Sequence, residues 1–528
     1  MWEEAPDLRQ FWKRYQLVIV LMVGLILLTL GSRLVLLDRW PIFADEAIYV
    51  RWAQVMRSEA TLRFLPQSDG KQPLYMWMVI PAMKLIQDPM IAGRTVSAFA
   101  GVGSMVGMFF LARALMAGWL EEKIWGIPVE NMVGLLAAFL YAIVPYTLMF
   151  DRLALTDSLL TMWGIWAMAL YIPTVGKPRW DVSMLVGGIL GLAWLTKSPA
   201  MFYLGLIPVS WILVFPEQLK NKWLLVRQVI SWLMIVGIAF GMYNILRLGP
   251  EFYQIRLRNA DYAFPLEEAM NNISGIFVSN LGEVSSFAWY LLTPGVLGLA
   301  LIGLWWLYKR DWRKPVFILV WILVPVLLQT FVARAVTARY FLYVVPVVLM
   351  AASFGFVWLM AQAWKRQWMV LFVSIILLAP AVVQSVALVV APKEAWLPRR
   401  ERSGYFEEWT SGPGLQEIAN YVSKVAENES VMLVSEGFFG TTPDGLQIYL
   451  NHHPNVTVLG SRYEAEEIPG SAYDSLVDNR VFFVINDERL LISDEEKSKL
   501  QLIKSYPKAV RPDGSQQHLL FFELVEGR

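Results

Sequence analysis

Long apolar segments fill most of the first 390 residues, and they constrain the fold more than any other feature of this sequence. A helix that crosses a membrane needs about 20 apolar residues, and several of these segments are somewhat shorter. Hydrophobic residues make up 56% of the chain, which is typical of proteins with many membrane spans. We therefore expect a polytopic α-helical membrane protein with about 11 transmembrane helices, near residues 16–36, 90–117, 129–149, 158–173, 183–196, 200–216, 226–247, 289–308, 315–333, 340–361 and 368–391.

One further apolar segment, Leu74 to Ile86, is short and contains Pro81, so we interpret it as a juxtamembrane helix. With this assignment, 118–128 and four basic loops share one face of the membrane: 174–182, 217–225, 309–314 and 362–367. Cytoplasmic loops are enriched in Lys and Arg. The pattern therefore predicts a cytoplasmic N-terminus, similar to an uncleaved signal anchor. It places 37–89, 150–157, 197–199, 248–288, 334–339 and everything after 391 on the extracytoplasmic face.

The character of the chain changes after Ala391, where charged residues become frequent and the long apolar runs stop. Helical spacing alternates there with short apolar runs that are typical of strands. We predict a transmembrane domain over 1–391 and an extracytoplasmic α/β domain with a partly parallel sheet over 392–528. The predicted helices are 415–425 and 443–450, and the predicted strands are 431–434, 456–459, 481–485 and 519–525.

Several classes of function are excluded by residues that the chain lacks. It has no Cys, so neither a disulfide nor a thiolate site is possible. Its three His, at 452, 453 and 518, all lie in the C-terminal part, so acid–base chemistry in the membrane region depends on carboxylates, Lys or Tyr. A net charge of +1 gives no reason to expect a nucleic-acid partner.

Charged residues recur at the predicted extracytoplasmic ends of the spans. Charged side chains beside a membrane cost free energy unless they are solvated or take part in the function of the protein. The simpler alternatives are a solvated loop for Asp45 and Glu46, a helix N-cap for Asp157, and a Lys197 that extends toward the headgroups. In the C-terminal part, a glycine-rich segment at 437–445 is either a binding loop or a turn between strand and helix.

Four short motifs, in this order and on this face, resemble those of the GT-C integral-membrane glycosyltransferases. The resemblance is strongest over about the first 200 residues, and the similar families are bacterial protein O-mannosyltransferase and aminoarabinose transferase relatives. The motifs are Asp45-Glu46, Lys71-Gln72-Pro73-Leu74 (similar to Lys-Pro-Pro-Leu), Arg94 at the head of a span, and Asp157 at the end of Arg152-Leu153-Ala154-Leu155-Thr156-Asp157. Ala338-Arg339-Tyr340 adds a weaker similarity.

Two departures from the family pattern limit what the resemblance implies. Gln72 replaces the first proline of Lys-Pro-Pro-Leu, and Ile48 and Tyr49 follow the acidic pair where the family often has a cation. The resemblance therefore does not imply the aminoarabinose activity in particular.

The resemblance implies transfer of a sugar from a polyprenyl-phosphate donor to an acceptor hydroxyl outside the cytoplasm, in the plasma membrane of a prokaryote. Asp45 is our candidate base, with inversion at the anomeric carbon because one base acts without a covalent intermediate. Lys71, Lys197 and Arg339 are candidates to bind the donor phosphate. Glu46 and Asp157 are expected to orient the base, bind sugar hydroxyls or, with Asp45, hold a divalent ion such as Mg²⁺ or Mn²⁺.

The segment 248–288 contains Arg256, Arg258 and Tyr262, and either closes over the donor or is a structured solvent loop.

The acceptor is a glycan, a lipid or a protein. The alternative functions are a transporter or lipid flippase, a ligase that uses a diphosphate-linked donor, and a structural or sensory membrane protein. A transporter usually places its charges near the bilayer midplane, whereas the charges of this sequence lie at span ends.

Overall fold

The structure is a computed structural model that describes residues 8–116, 123–124, 126–362, 367–451 and 453–525. Most of these residues are helical. The helices are α1 Leu8–Leu34, α2 Ala44–Ser58, α3 Leu74–Leu85, α4 Pro89–Met116, α5 Val129–Ile143, α6 Pro145–Asp151, α7 Thr156–Tyr171, α8 Trp180–Thr196, α9 Ala200–Val209, α10 Glu217–Lys220, α11 Lys222–Tyr243, α12 Gln254–Tyr262, α13 Leu266–Asn271, α14 Ile273–Phe287, α15 Pro294–Arg310, α16 Arg313–Val332, α17 Val345–Gln362, α18 Gln367–Val390, α19 Arg399–Arg402, α20 Leu415–Ala426, α21 Asp444–Leu450, α22 Gly470–Ser475 and α23 Asp494–Lys497.

A helix or a bent helix pair stands at each of the eleven predicted spans. Within the described residues, six helices are long and apolar enough to cross a membrane, and two bent pairs raise the number to eight if each pair is one span. Because α7, α8 and α9 are shorter, the count of eleven stays a prediction. Lys365, Arg366, His452 and part of the predicted loop 118–128 lie outside the described residues.

The segment 248–288, which we predicted as an extracytoplasmic loop, contains three helices, α12, α13 and α14. The apolar helix α14 was not predicted, because Ser, Gly, Asn and Glu residues interrupt its hydrophobic pattern. A π-helical turn, Ala288–Leu292, follows it, and Thr293 has a positive φ of 71° before α15 begins at Pro294. The axis bends by 100° at this break.

The chain forms two compact units, each made of separate segments. Unit 1 consists of Met1–Leu36, Pro66–Tyr75 and Ser97–Val390, and unit 2 consists of Leu37–Leu65, Met76–Val96 and Ala391–Arg528. The residues after 391 therefore share a unit with two segments from the N-terminal hundred residues.

Helices of unit 1 approach one another closely at glycines. A Cβ on Gly303 of α15 would lie 1.9 Å from the carbonyl oxygen of Ala351 in α17, and a Cβ on Gly355 would lie 2.0 Å from that of Leu299. Small residues permit this backbone-to-backbone packing between apolar helices, where the hydrophobic effect does not favour one partner over lipid.

Two buried arginines connect α1 with α6 in unit 1. Arg33 pairs with Asp151 over 3.4 Å, and neither side chain is exposed. Arg152 donates to the carbonyl oxygens of residues 32, 33, 35 and 36 at the end of α1. Those carbonyls have no partner within the helix, so the guanidinium caps its negative end. Arg152, in the family-like motif that ends at Asp157, thus has a structural role.

The sheet of unit 2 has five strands in the order β6-β5-β7-β9-β8. Strands β5, β6 and β7 are parallel, and β9 is antiparallel to both β7 and β8. A partly parallel sheet with the predicted strands and helices is therefore present. The strands of the chain are β1 Ile42–Phe43, β2 Lys123–Ile124, β3 Ile127–Pro128, β4 Ser411–Gly412, β5 Val431–Ser435, β6 Val456–Gly460, β7 Arg480–Asn486, β8 Leu500–Val510 and β9 Gln516–Leu524.

Strand β8 was not predicted. It is an edge strand that contains lysines and a proline, with two register shifts against β9, so its hydrophobic alternation is weak.

Segments from both ends of the chain are joined within unit 2. Strand β1 pairs with β4, and helix α2 packs against α21. Arg51 of α2 donates to Gln447 at 3.1 Å and to Asn451 at 2.7 Å, while Gln54 donates to the carbonyl oxygen of Ile448 at 2.9 Å.

We expect Gly101→Ala to lower the stability of the protein. The added Cβ would lie 2.3 Å from Oδ2 of Asp151 and displace a buried carboxylate from Arg33. Overpacking of this kind costs roughly 1–3 kcal/mol, which would appear as a lower apparent melting temperature in detergent. Gly298→Ala in α15 is the matched control, because no atom lies within 4 Å of its added Cβ. Equal melting temperatures for both variants would contradict the close packing of α4 on Asp151.

Candidate active site

Cationic and aromatic side chains of unit 1 surround Tyr340, and we call Lys197, Arg258, Tyr262, Arg339 and Tyr340 the Tyr340 cluster. Lys197 Nζ lies 4.8 Å from the centre of the Tyr340 ring, and the Arg339 guanidinium lies 5.3 Å from it. The rings of Tyr262 and Tyr340 meet edge to face, with centres 6.4 Å apart. Arg258 stacks over Tyr262 at 5.3 Å. Three cations thus lie around two tyrosines.

Three distant parts of the chain supply this cluster. Lys197 follows the last residue of α8, Arg258 and Tyr262 lie on α12, and Tyr340 lies in a 3-10 turn, Ala338–Phe341. The end of α12 is held against the end of α16 by backbone hydrogen bonds. Phe264 donates to Val332 at 2.7 Å and Arg334 donates to Tyr262 at 3.0 Å.

Asp157 joins the cluster through Lys197. The Lys197 Nζ to Asp157 Oδ1 distance is 2.6 Å, and only 4% of the Asp157 side chain is exposed. Its second oxygen, Oδ2, is buried without a hydrogen-bond partner among the described residues. The N-cap of α7 is Leu155, so the alternative that Asp157 is the N-cap is wrong. Lys197 is paired rather than simply directed toward headgroups.

Lys71 is connected to the cluster through Asp69. Asp69 pairs with Lys71 at 3.2 Å and with Arg258 at 3.3 Å. The turn between Asp69 and Lys71 fits only glycine, because Gly70 has φ +65° and an added Cβ would lie 2.4 Å from the Arg258 Cβ.

Gln72, which replaces a family proline, donates to the hydroxyl of Ser198 at 2.8 Å. This hydrogen bond joins the residue after Lys71 to the residue after Lys197. The departure from the family motif therefore adds a contact between the two segments that carry these lysines.

Arg256 also lies on α12 but is exposed, and the structure does not place it among the contacts of the Tyr340 cluster. Of the predicted phosphate-binding and loop residues, the structure thus brings together Lys71, Lys197, Arg258, Tyr262 and Arg339. Sequence reasoning did not select Tyr340 or Asp69. Tyr340 directly follows Arg339, and Asp69 precedes Lys71 by two residues. This closeness in sequence to a candidate cation is the feature that could have identified them.

Asp45 and Glu46 lie in the first turn of α2, in unit 2. A carboxylate is favoured there by the positive end of the helix dipole. Glu46 is fully buried and accepts two hydrogen bonds from Arg94, both at 2.8 Å. It also accepts from the backbone N–H of Phe43 at 3.2 Å, so it closes the start of the helix.

Arg94 uses its remaining donors on the chain that leads to α2. It donates to the carbonyl oxygens of Trp40 and Pro41, both at 3.1 Å, and to that of Leu37. The Arg94–Glu46 pair therefore positions the segment that carries Asp45, and Asp45 itself is half-buried.

Among the described residues, no group of three or more His, Asp or Glu side chains is arranged to hold a metal ion. Glu46 is engaged by Arg94 and Asp157 by Lys197. The divalent site that the sequence left open therefore stays a prediction.

Comparisons with known proteins concern the fold and a part of the sequence. Residues 67–247 match the sequence model of the Dolichyl-phosphate-mannose-protein mannosyltransferase family. ArnT from Cupriavidus metallidurans, solved bound to undecaprenyl phosphate, aligns over 97% of this chain and 99% of its own, with a TM-score of 0.59 and 15% identity. The Archaeoglobus fulgidus oligosaccharyltransferase, solved with a tethered acceptor peptide, aligns over 96% of this chain and 74% of its own, with a TM-score of 0.52 and 11% identity.

The chain has the GT-C glycosyltransferase fold. It is a multi-pass membrane protein, and its residues 67–247 are similar to the protein mannosyltransferases, as the motifs predicted. No curated protein matches its sequence.

The matched range of this GT-C protein contains Lys71, Asp157, Lys197 and Arg94, while Asp45, Glu46 and Arg339 lie outside it. The two lysines, Asp69 and Asp157 therefore lie in the matched range and also belong to the Tyr340 cluster or are linked to it by ion pairs.

We expect Glu46→Ala to destabilise unit 2 by leaving Arg94 buried without its carboxylate. Removal of one partner from a buried ion pair costs about 3–5 kcal/mol. Apparent melting temperatures would show a large loss for Glu46→Ala and a smaller one for the double variant Glu46→Met with Arg94→Met, because the double variant leaves no buried charge. A Glu46→Ala protein that melts like wild type would contradict the positioning role of this pair.

Proposed function

We propose that this protein transfers a sugar from a polyprenyl-phosphate donor to an acceptor hydroxyl, on the extracytoplasmic face of a prokaryotic plasma membrane. The observation that carries the proposal is the Tyr340 cluster. Three cations lie around two tyrosines there, and Asp69 links a fourth, Lys71, to them. A cluster of cations at the end of apolar helices suits a phosphate whose lipid tail lies among those helices.

The cluster supplies what a phosphate leaving group requires. When the bond between sugar and phosphate breaks, negative charge grows on the phosphate oxygens. Ammonium and guanidinium groups already in place stabilise that charge without reorganisation. Lys197 and Arg339 are the candidates for direct contact, and Lys71 is a third.

Asp157 suits a different role in this reaction. Its Oδ1 holds Lys197, while the buried Oδ2 is available to accept a hydrogen bond from a sugar hydroxyl. A buried acceptor without a partner is costly, so a donor hydroxyl at this position would be stabilising.

Asp45 is the candidate base that takes the proton of the acceptor hydroxyl. Arg94 and Glu46 position its segment, and it is half-buried at the start of α2. One base and direct displacement at the anomeric carbon give inversion of configuration, since two close carboxylates would be required for a covalent intermediate.

The transporter or flippase alternative has no support from the fold or the family match. The sugar, whether a hexose or a pentose, and the acceptor, whether a glycan, a lipid or a protein, are to be identified by experiment. The assay is run without and with a divalent ion, and no step of the proposed reaction uses a metal ion.

The first test is sugar transfer by the purified protein in nanodiscs, with a panel of polyprenyl-phosphate sugars. We expect wild type to consume one donor and Asp45→Asn to lose that activity, because the amide cannot accept the proton. Melting temperature and yield control for folding. Activity of Asp45→Asn near that of wild type would refute its role as the base. If no monophosphate donor is consumed, without or with Mg²⁺ or Mn²⁺, a diphosphate-linked donor becomes the next candidate.

Lys71→Ala should weaken binding of the lipid donor. A hydrogen bond to a charged group contributes about 1.5–3 kcal/mol, which corresponds to a rise of roughly ten- to a hundredfold in the apparent KM for the donor. Lys84→Ala, at the exposed end of α3, is the matched control and should leave KM unchanged. An unchanged KM and kcat for Lys71→Ala would show that Lys71 does not contact the donor.

A further inference from the structure

The order of the parallel strands of unit 2 predicts a crevice at one edge of the sheet. Strand β5 lies between β6 and β7, so the chain leaves β5 toward one side and later crosses to the other side to form β7. Connections that diverge in this way open a crevice between the carboxyl ends of the two central strands. Ligands of open α/β sheets bind at such a switch point.

Exposed aromatic rings lie in the segments that follow β5 and β6. Phe438 and Phe439 follow β5 and are 63% and 48% exposed, and Tyr463 follows β6. Both phenylalanine rings meet Tyr463 edge to face, with ring centres 5.9 and 6.4 Å away. We call Phe438, Phe439 and Tyr463 the aromatic shelf. Exposed apolar clusters of this kind mark binding sites.

The loop that carries the shelf is held in place by specific hydrogen bonds. Asp444 accepts from the backbone N–H of Gly440 at 2.6 Å, and Thr442 Oγ1 donates to the carbonyl oxygen of Glu436 at 3.1 Å. Gly437 donates to the carbonyl oxygen of Arg462 at 3.3 Å. A loop that exposes two phenylalanines while its backbone is fixed is preorganised, which lowers the entropy cost of binding.

Polar groups converge beside the shelf at the ends of β5 and β7. The Arg489 guanidinium lies 4.2 Å from the centre of the Trp409 ring and 5.7 Å from that of Tyr463. It pairs at 3.4 Å with Glu436, which is 2% exposed and directly follows β5.

Two hydroxyls of the same segment, Ser435 Oγ and Thr441 Oγ1, are buried without a hydrogen-bond partner among the described residues. Buried polar groups are rarely left unsatisfied, so these hydroxyls indicate a polar ligand or water.

The charges at the crevice favour a ligand without net charge. Arg489 is neutralised by Glu436, and Lys508 donates to Asn486 and to the carbonyl oxygen of Glu408. Burial raises the pKa of Glu436 and lowers that of Lys508 to about 8, so the crevice disfavours unpaired charge.

We propose that the aromatic shelf and the crevice between β5 and β7 bind a neutral carbohydrate chain. The C–H faces of sugar rings pack on aromatic rings, and the sugar hydroxyls exchange hydrogen bonds with Arg489. Glu436 is buried and accepts from Asn486 and Arg489, so it holds the guanidinium in place. The sugar chain of an acceptor is the natural ligand if the proposed transfer function holds, whereas carbohydrate binding by itself does not depend on it.

The test is a titration of the full chain in nanodiscs, without donor lipid, with cellohexaose, mannohexaose and chitohexaose, followed by calorimetry. We expect saturable binding of at least one oligosaccharide, and at least a tenfold loss of affinity in Phe438→Ala and in Tyr463→Ala. Val477→Ala, which removes another highly exposed apolar side chain of unit 2, should bind like wild type. Asp45→Asn should also bind like wild type, which separates this site from failure of the transfer proposal.

Two outcomes would overturn the proposal. One is the absence of saturable binding for all three oligosaccharides, or equal affinity in wild type and both aromatic variants. The other is a lipid contact in place of the sugar. Since the chain has no Cys, Phe438→Cys provides a single spin-labelling site. We expect the label to be accessible to an aqueous relaxation agent, and a label immersed in lipid would assign the shelf to the membrane surface.

Discussion

A charge buried among apolar helices is stable only beside an opposite charge or several hydrogen bonds, and this constraint organises the polar parts of the protein. Arg33 with Asp151 in unit 1 and Arg94 with Glu46 in unit 2 satisfy it completely. Both pairs hold structure in place. Charged residues at the ends of apolar segments are thus of two kinds. Some hold the backbone in place, and others are placed to form hydrogen bonds or ion pairs with a ligand.

The Tyr340 cluster belongs to the second kind. Its cations lie just after α8, within α12 and in the turn before α17, and Lys197 and Arg339 are 142 residues apart in the chain. Asp157 pairs with Lys197, Asp69 pairs with both Lys71 and Arg258, and Asp261 pairs with Arg258 as well, while Arg339 adds a fourth cation. Ammonium and guanidinium groups brought together in this way suit a phosphate, and they connect the fold with the proposed donor.

Sequence reasoning succeeded where a pattern is local. The apolar segments predicted every described helix of 16 or more residues, and strands β5, β6, β7 and β9 were identified from short apolar runs. It failed where tertiary context stabilises an element with a weak pattern. Strand β8 is held by pairing with β9 at the sheet edge, and α14 contains polar residues that a sequence window counts against a helix.

The sequence by itself determined that the chain is a membrane protein, that its chemistry depends on carboxylates and lysines, and which motif residues are candidates. Those conclusions depend on composition and on short spacings, which need no knowledge of packing. Only the tertiary structure decided that Glu46 pairs with Arg94, that Asp157 pairs with Lys197, and that Tyr340 lies among the cations. The partners of a buried charge lie far away in sequence, so the free energy that selects them arises only when the helices pack.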